Sequence, residues 1–361
     1  MSRTRVAVVF GGRSTEHAIS CVSAGSVLRA LDRDRYDVIA VGITPEGRWV
    51  LVDDDPERWS IQDGHLPSVT DGLAVALPGD PTAGGLVRYD DARAVERVDV
   101  VFPVLHGPYG EDGTVQGLLE MAGVAYVGAG VLASAVAMDK AVAKTLLTAA
   151  GLPVARSVVV REREWRRDPA PLREAVCALQ STVFVKPARG GSSIGISRVT
   201  APAQLEDALT LAFRSDPKVV GAQAVTGREV ECGVLDGPDG PQASVPAEVR
   251  LVGDFEFYDF QAKYLSAATE LDCPADLPAE TTRQVQEMAL RAFRALECEG
   301  LARVDFFVGA DGDLTVNEVN TMPGFTATSM FPLMWSASGV DYPALVDRLI
   351  QAALHRGAGL H

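Results

Sequence analysis

Short, unbroken apolar runs alternate along this chain with stretches whose apolar residues recur at helical spacing. Residues 5–10, 36–43 and 98–105 are the strongest runs and read as buried strands. Between them the spacing predicts helices over 20–31 and, after the third run, over 114–122. A strand–loop–helix–strand opening of this kind points to a parallel α/β unit. A longer helical pattern over 132–150 is closed by Gly151 and Pro153 and carries Met138-Asp139-Lys140 in its interior. The character then changes. Strands are expected at 183–186, 194–199, 226–235 and 244–251, helices at 204–213 and 281–296, and a last helix at 342–354. Residues 53–96 are rich in Asp, Gly and Pro and poorly periodic, so peripheral hairpins and loops with little function are expected there.

With 361 residues the chain is long enough for two or three domains. The net charge of −15 argues against a general nucleic-acid partner, which wants a basic footprint. It leaves room for a phosphate ligand, because lysines can be concentrated in one cleft. Cys21, Cys177, Cys232, Cys273 and Cys298 are scattered without a CxxC pair and read as reduced thiols of a cytoplasmic protein. The first apolar run is too short for a signal-peptide core, and no stretch approaches the length of a membrane span.

Two segments near the C-terminus carry the most chemistry: Arg303-Val304-Asp305 and Glu318-Val319-Asn320, separated by Asp311-Gly312. An Asp-Gly pair between strand-like runs is a hairpin signal. With these two as the loop residues, Asp305 faces Glu318 and Arg303 faces Asn320, all on one side of the sheet. Two carboxylates and an amide oxygen make a hard-oxygen nest of the kind Mg2+ prefers. An adjacent arginine can hold an anion.

Other candidates are less specific singly. Lys186 precedes a small-residue turn, Ala188-Arg189-Gly190-Gly191-Ser192-Ser193, whose glycines let backbone N–H groups approach phosphates. It is not a Walker A loop, since the lysine comes first and no helix follows. Glu229 and Glu231 share a strand face. The aromatic and charged run 257–264, with Lys263 and Tyr264, suits a loop that closes over a cleft. Glu16 and His106 sit just past strand ends, where open α/β sheets gather ligands.

Together these motifs resemble the D-alanine–D-alanine ligases of the ATP-grasp superfamily over nearly the whole chain, apart from 53–96. The segments that carry the likeness are 106–117, from His106-Gly107-Pro108-Tyr109-Gly110-Glu111, and 303–324, together with Met138-Asp139-Lys140, Val185-Lys186-Pro187 and Lys263-Tyr264, all in the family's order. The resemblance implies an N-terminal parallel α/β domain (1–130) followed by a two-part ATP-grasp domain (131–223 and 224–361). It implies ATP-dependent joining of two D-alanines through an acyl phosphate. Asp305, Glu318 and Asn320 are then expected to hold two Mg2+ or Mn2+ ions. Lys140, Lys186, Lys263, Ser192 and Ser193 would contact phosphates, Glu229 the ribose, and Val225 the adenine. Glu16 would meet the first ammonium, with Ser192 and Tyr264 completing a triad. His106 would lie near the first substrate. Arg303 and the Gly324 N–H would form an oxyanion site, and Ser329 with the Met330 N–H would hold the second carboxylate. A homodimer is implied. Tyr264 favours D-alanine over D-lactate as acceptor. Two positions depart from the pattern: Ala18 and Ala222 stand where relatives commonly carry glutamates, the latter near the adenine amino group.

Overall fold

The computed structural model describes residues 3–251 and 269–359. Among them lie three sheets. The first is built from β1 (Thr4–Gly11), β2 (Tyr36–Ile43), β3 (Trp49–Leu51), β4 (Leu73–Ala76), β5 (Gly85–Arg88), β6 (Ala94–Arg97), β7 (Val100–Val104) and β8 (Ala125–Tyr126), in the order β6-β5-β4-β3-β2-β1-β7-β8. Its β2-β1-β7-β8 half is parallel, with α1 (His17–Ala30) and α2 (Thr114–Ala122) as crossovers. β1 is apolar along nearly its whole length because it is buried on both faces.

Residues 53–96 form peripheral hairpins and loops, as expected, but the hairpins are part of the sheet. They extend this sheet through short antiparallel strands, too short to show a period in the sequence. They also send Trp59 into the core edge-on against Phe10, with ring centroids 4.7 Å apart.

The predicted helix over 132–150 is two helices, α3 (Val131–Met138) and α4 (Lys140–Ala149). Asp139 takes an extended conformation between them, and its carboxylate accepts the N–H groups of Ala141 at 3.1 Å and Val142 at 3.2 Å. An aspartate is a strong N-cap, so the helical pattern continues while the helix restarts.

The second sheet contains β9 (Ser157–Arg161), β10 (Val183–Pro187), β11 (Ser197–Val199) and β12 (Lys218–Gln223), ordered β11-β10-β12-β9. It is backed by α5 (Glu162–Arg167), α6 (Pro169–Cys177) and α7 (Leu205–Phe213). The third comprises β13 (Arg228–Leu235), β14 (Gln242–Ala243), β15 (Ala247–Leu251), β16 (Thr269–Asp272), β17 (Leu301–Val308) and β18 (Leu314–Asn320), covered by α8 (Ala279–Ala295). Then α9 (Met330–Ala337) and α10 (Tyr342–Arg356) return to the first sheet. Phe325, Phe331, Trp335, Leu345, Leu349 and Ile350 share one core with Val6, Val8, Phe102 and Val104.

Candidate active site

The site begins where the parallel strands end. Ser20 on α1 accepts the Gly11 N–H at 2.7 Å and donates to the Val104 carbonyl, so the ends of β1 and β7 are tied together. Ser14 fastens the following loops. Its Oγ donates to the His106 carbonyl at 2.7 Å and accepts the Glu16 N–H at 3.0 Å. The Glu16 carboxylate lies between two glycines: a Cβ on Gly107 or on Gly191 would stand 2.6 or 2.8 Å from its Oε2. Ser192 Oγ donates to Glu16 Oε1 at 2.5 Å, across 176 residues of chain. Ser192 and Ser193 both have positive φ, +51° and +58°, which turns the loop after β10 sharply back at this point.

His106 is buried, with Nδ1 3.1 Å from the Met322 carbonyl and Nε2 3.1 Å from Ser23 Oγ. Burial lowers its pKa, partly opposed by Glu16, so the neutral ring is favoured. Beside it, Glu111 accepts the Gly107 N–H at 2.6 Å and the Met322 N–H at 3.1 Å, joining the β7 loop to the segment after β18. Burial first, then the neighbouring Glu16 charge, push its pKa up to about 8.

The β17–β18 hairpin sets Arg303 opposite Asn320 and Asp305 opposite Glu318, as the sequence predicts, but by another route. The loop is 309–313, closed by the Gly309 N–H on the Asp313 carbonyl at 2.8 Å, so Val308 faces Leu314. A bulge between Asp305 and Phe306, with Asn317 as the extra residue, then shifts the register by one and restores the expected pairing at the site. Arg303 donates to both carboxylate oxygens of Asp305 at 2.7 Å and lies 3.2 Å from Glu231, while Asn320 Nδ2 donates to Asp305 at 3.0 Å. Burial alone would lower the Arg303 pKa, but Asp305 and Glu231 outweigh it and hold the guanidinium charged. Glu231 is thus an enclosed partner of Arg303, not a solvated strand residue.

Three cavities meet at this arginine. The largest, about 700 Å3, lies between the second and third sheets and is lined by Lys140, Lys186, Ser192, Ser193, Val225 and Glu229 among others. Lys140 Nζ donates to the Gly190 carbonyl at 2.7 Å and stands 3.6 Å from Glu318. Burial lowers the Lys186 pKa, with Glu318 opposing and Lys140 adding to the shift. Ala222 is buried in this wall. A small cavity of about 80 Å3 is enclosed by Glu16, His106, Glu111, Ser192, Arg303, Asn320 and Gly324. A third, of about 460 Å3, is bounded by Arg303, Gly324, Ser329 and Met330. Its far wall is Pro56, Trp59, Ser60 and Ile61, so the segment expected to have little function lines a cavity of the site. Ser329 occupies the N-cap position of α9, and its Oγ accepts the Thr326 N–H at 3.1 Å.

The fold brings together the expected Glu16, His106, Lys140, Lys186, Ser192, Ser193, Val225, Glu229, Arg303, Asp305, Glu318, Asn320, Gly324, Ser329 and Met330 around three cavities that share Arg303. Lys263 and Tyr264 lie outside the described residues. Sequence reasoning missed Glu111 and Lys144, although each carried a signal. Glu111 sits within the segment that follows His106, and Lys144 is one helical turn from Lys140.

A parallel α/β unit followed by two sheets that grip a lysine-lined cleft, with a carboxylate hairpin at its mouth, defines an ATP-grasp ligase. Residues 5–129 match the family described as D-ala D-ala ligase N-terminus, and residues 146–351 match D-ala D-ala ligase C-terminus. A D-alanine--D-alanine ligase of Mycobacterium sp. (strain KMS) is 58% identical over 99% of this chain and 98% of its own length. One from Mycobacterium tuberculosis (strain CDC 1551 / Oshkosh) is 57% identical at the same coverage. Among solved structures, the VanG D-Ala:D-Ser ligase of Enterococcus faecalis superposes with a TM-score of 0.85 at 35% identity, covering 98% of this chain and 100% of that one. The D-alanine-D-alanine ligase of Coxiella burnetii gives 0.82 at 33%, covering 98% and 96%. The chain belongs to the D-alanine–D-alanine ligase family.

Proposed function

We propose that this protein joins two D-alanines into D-alanyl-D-alanine at the expense of ATP, supplying a peptidoglycan precursor. The observation that carries the reading is the meeting of three cavities at Arg303: a large lysine-lined cleft, a pocket the size of a small amino acid, and a second pocket ending at a helix N-terminus. ATP occupies the first. Lys140, Lys186, Ser192 and Ser193 hold its phosphates, Glu229 its ribose and Val225 its adenine, and Lys263 reaches the γ-phosphate. The first D-alanine fills the small pocket, its ammonium on Glu16 and its carboxylate toward Arg303, near His106. That carboxylate attacks the γ-phosphorus, ADP leaves, and an acyl phosphate forms. The second D-alanine lies beyond Gly324, its carboxylate on the Met330 N–H and Ser329 at the positive end of α9. Its amine attacks the acyl carbon. The oxyanion is stabilised by Arg303 and the Gly324 N–H, and phosphate departs. The Glu16–Ser192–Tyr264 triad is a candidate route for the amine's proton.

The donor set fits a hard divalent cation. Asp305, Glu318 and Asn320 offer only oxygen ligands, and among the described residues no group of three His, Cys, Asp or Glu side chains forms a metal site by itself. Phosphate oxygens and water must complete the shell, which is how Mg2+ is usually bound at nucleotides. Two Mg2+ or Mn2+ ions there would neutralise phosphate charge during transfer. We further propose the three-part organisation 1–130, 131–223 and 224–361, a homodimer, and a cytoplasmic site of action. Among the described residues no helix is long and apolar enough to cross a membrane.

The test is phosphate release from ATP with Mg2+ and D-alanine, with L-alanine and no-substrate controls, and the product identified by mass. D-alanine-dependent phosphate with dipeptide is expected, and chelation with EDTA should abolish it. D-serine and D-lactate are offered alongside as acceptors. Preference for either over D-alanine at neutral pH would sink the acceptor assignment.

A further inference from the structure

Lys144 lies on α4 one turn beyond Lys140, on the same helical face, and no role above uses it. It is only 5% exposed. A lysine so enclosed ordinarily has an anionic partner, because an unpaired charge in a poorly solvated place is costly. Among the described residues Lys144 has none. Its only contact with another side chain in the hydrogen-bond network is through its backbone carbonyl, which accepts from Thr148 Oγ1 at 2.7 Å. Lys140, by contrast, has both the Gly190 carbonyl and Glu318 within reach.

The Lys144 side chain lines the 700 Å3 cleft in company with Lys140, Lys186 and the Gly190–Ser193 loop. Burial, then Lys186 and Lys140, lower its pKa to about 8, with Glu318 opposing. Three lysines thus converge on one cavity whose lining also holds Glu229, Glu231, Asp305 and Glu318, yet none of these carboxylates forms an ion pair with Lys144. The missing counter-charge is a ligand's. We infer that Lys144 binds the polyphosphate of the nucleotide directly, beside Lys140 and Lys186. The inference rests on reading the cleft as the nucleotide site. It adds a cation that neither the motif pattern nor the glycine-rich loop identifies.

Calorimetric titration of the full-length protein with ADP and Mg2+, and separately with adenosine, tests it in wild type, Lys144→Met and Lys144→Arg. Methionine keeps the aliphatic length and removes the charge. The expected result is ADP binding weakened about ten- to a hundred-fold in Lys144→Met, the worth of a charge-assisted hydrogen bond. Adenosine binding stays unchanged and Lys144→Arg recovers part of the loss. The ligand-free melting temperature of Lys144→Met should not fall, because the change removes an unpaired buried charge. That combination separates a ligand-binding role from a structural one. Unchanged ADP affinity in Lys144→Met overturns the inference, as does equal loss for ADP and adenosine. If wild type itself binds no ADP, the nucleotide reading of the cleft fails and the inference with it. Should Lys144→Met not fold, acetylation of wild-type lysines read by mass spectrometry decides. ADP must protect Lys144 where adenosine does not, and equal labelling in both overturns the proposal.

Discussion

Arg303 borders all three cavities and is held by two acids, so it has two separable duties. Its charge neutralises Asp305 and Glu231, and in the proposed mechanism its planar fork presents donors where charge develops in the transition state. Arg303→Lys keeps the charge and loses the fork. It should lower kcat about 10²–10³-fold, with a much smaller change in the KM for D-alanine, read by phosphate release. A raised KM with kcat unchanged would assign Arg303 to ground-state binding. Glu111 makes a prediction of opposite kind. A carboxyl raised to about 8 in the fold stays protonated there while the unfolded chain ionises. Its stabilising contribution is complete below the unfolded pKa and is lost as pH rises toward 8. The stability difference between wild type and Glu111→Gln, from urea midpoints, should therefore shift against wild type between pH 5 and 8; parallel curves contradict it. In the proposed adenine site the Ala222 side chain offers no polar group, which forgoes a hydrogen bond worth about 0.5–1.5 kcal/mol. Turnover with GTP should then come within about ten-fold of that with ATP.

Elements show which local signals were legible. Glu16 and His106 could be placed because strand ends are readable from apolar runs and ligands gather beyond them. The hairpin was legible for a less direct reason. The Asp-Gly signal misplaced the loop by half a register, and the bulge at Asn317, invisible in the pattern, moved the pairing back. The helix break at Asp139 was hidden because an N-cap leaves the apolar spacing intact. That break matters, since it puts Lys140 at a helix start, with its N–H on the Ala188 carbonyl at 2.9 Å beside the glycine-rich loop. Asp139 also holds Lys218 at 2.8 Å, with 14% and 17% of the two side chains exposed. Asp139→Ala should cost about 2–4 kcal/mol, from the lost cap and the stranded lysine, and weaken ADP binding. Asp139→Asn keeps the cap and should recover part of the stability. A melting temperature equal to that of Asp139→Ala would show that the ion pair alone matters.

At the scale of the whole molecule, no sequence period announces that the C-terminal helices close the N-terminal core. Their apolar stripes are visible, but a stripe does not name its partner. The joint is Phe325, fully buried, with its ring centroid 5.6 Å from Phe102, 6.1 Å from Phe331 and 5.7 Å from Tyr342. It immediately follows Gly324, and Tyr342 Oη donates to its carbonyl at 2.7 Å. Further out, Arg356 donates to the carbonyls of Gly128 and Tyr126. The first sheet is therefore not a self-sufficient unit, since part of its core is supplied from beyond residue 320. Thermal unfolding should remove the first sheet and the β17–β18 hairpin together. Phe325→Ala should destabilise by about 3–5 kcal/mol through the cavity it leaves. It should also lower kcat at temperatures where the protein remains folded, because the Gly324 N–H is carried by the same joint. Calorimetry with parallel turnover measurements checks both. If the first sheet melts in a separate transition that Phe325→Ala leaves untouched, the C-terminal helices are only a covering, and the placement of Gly324 must depend on the hairpin alone.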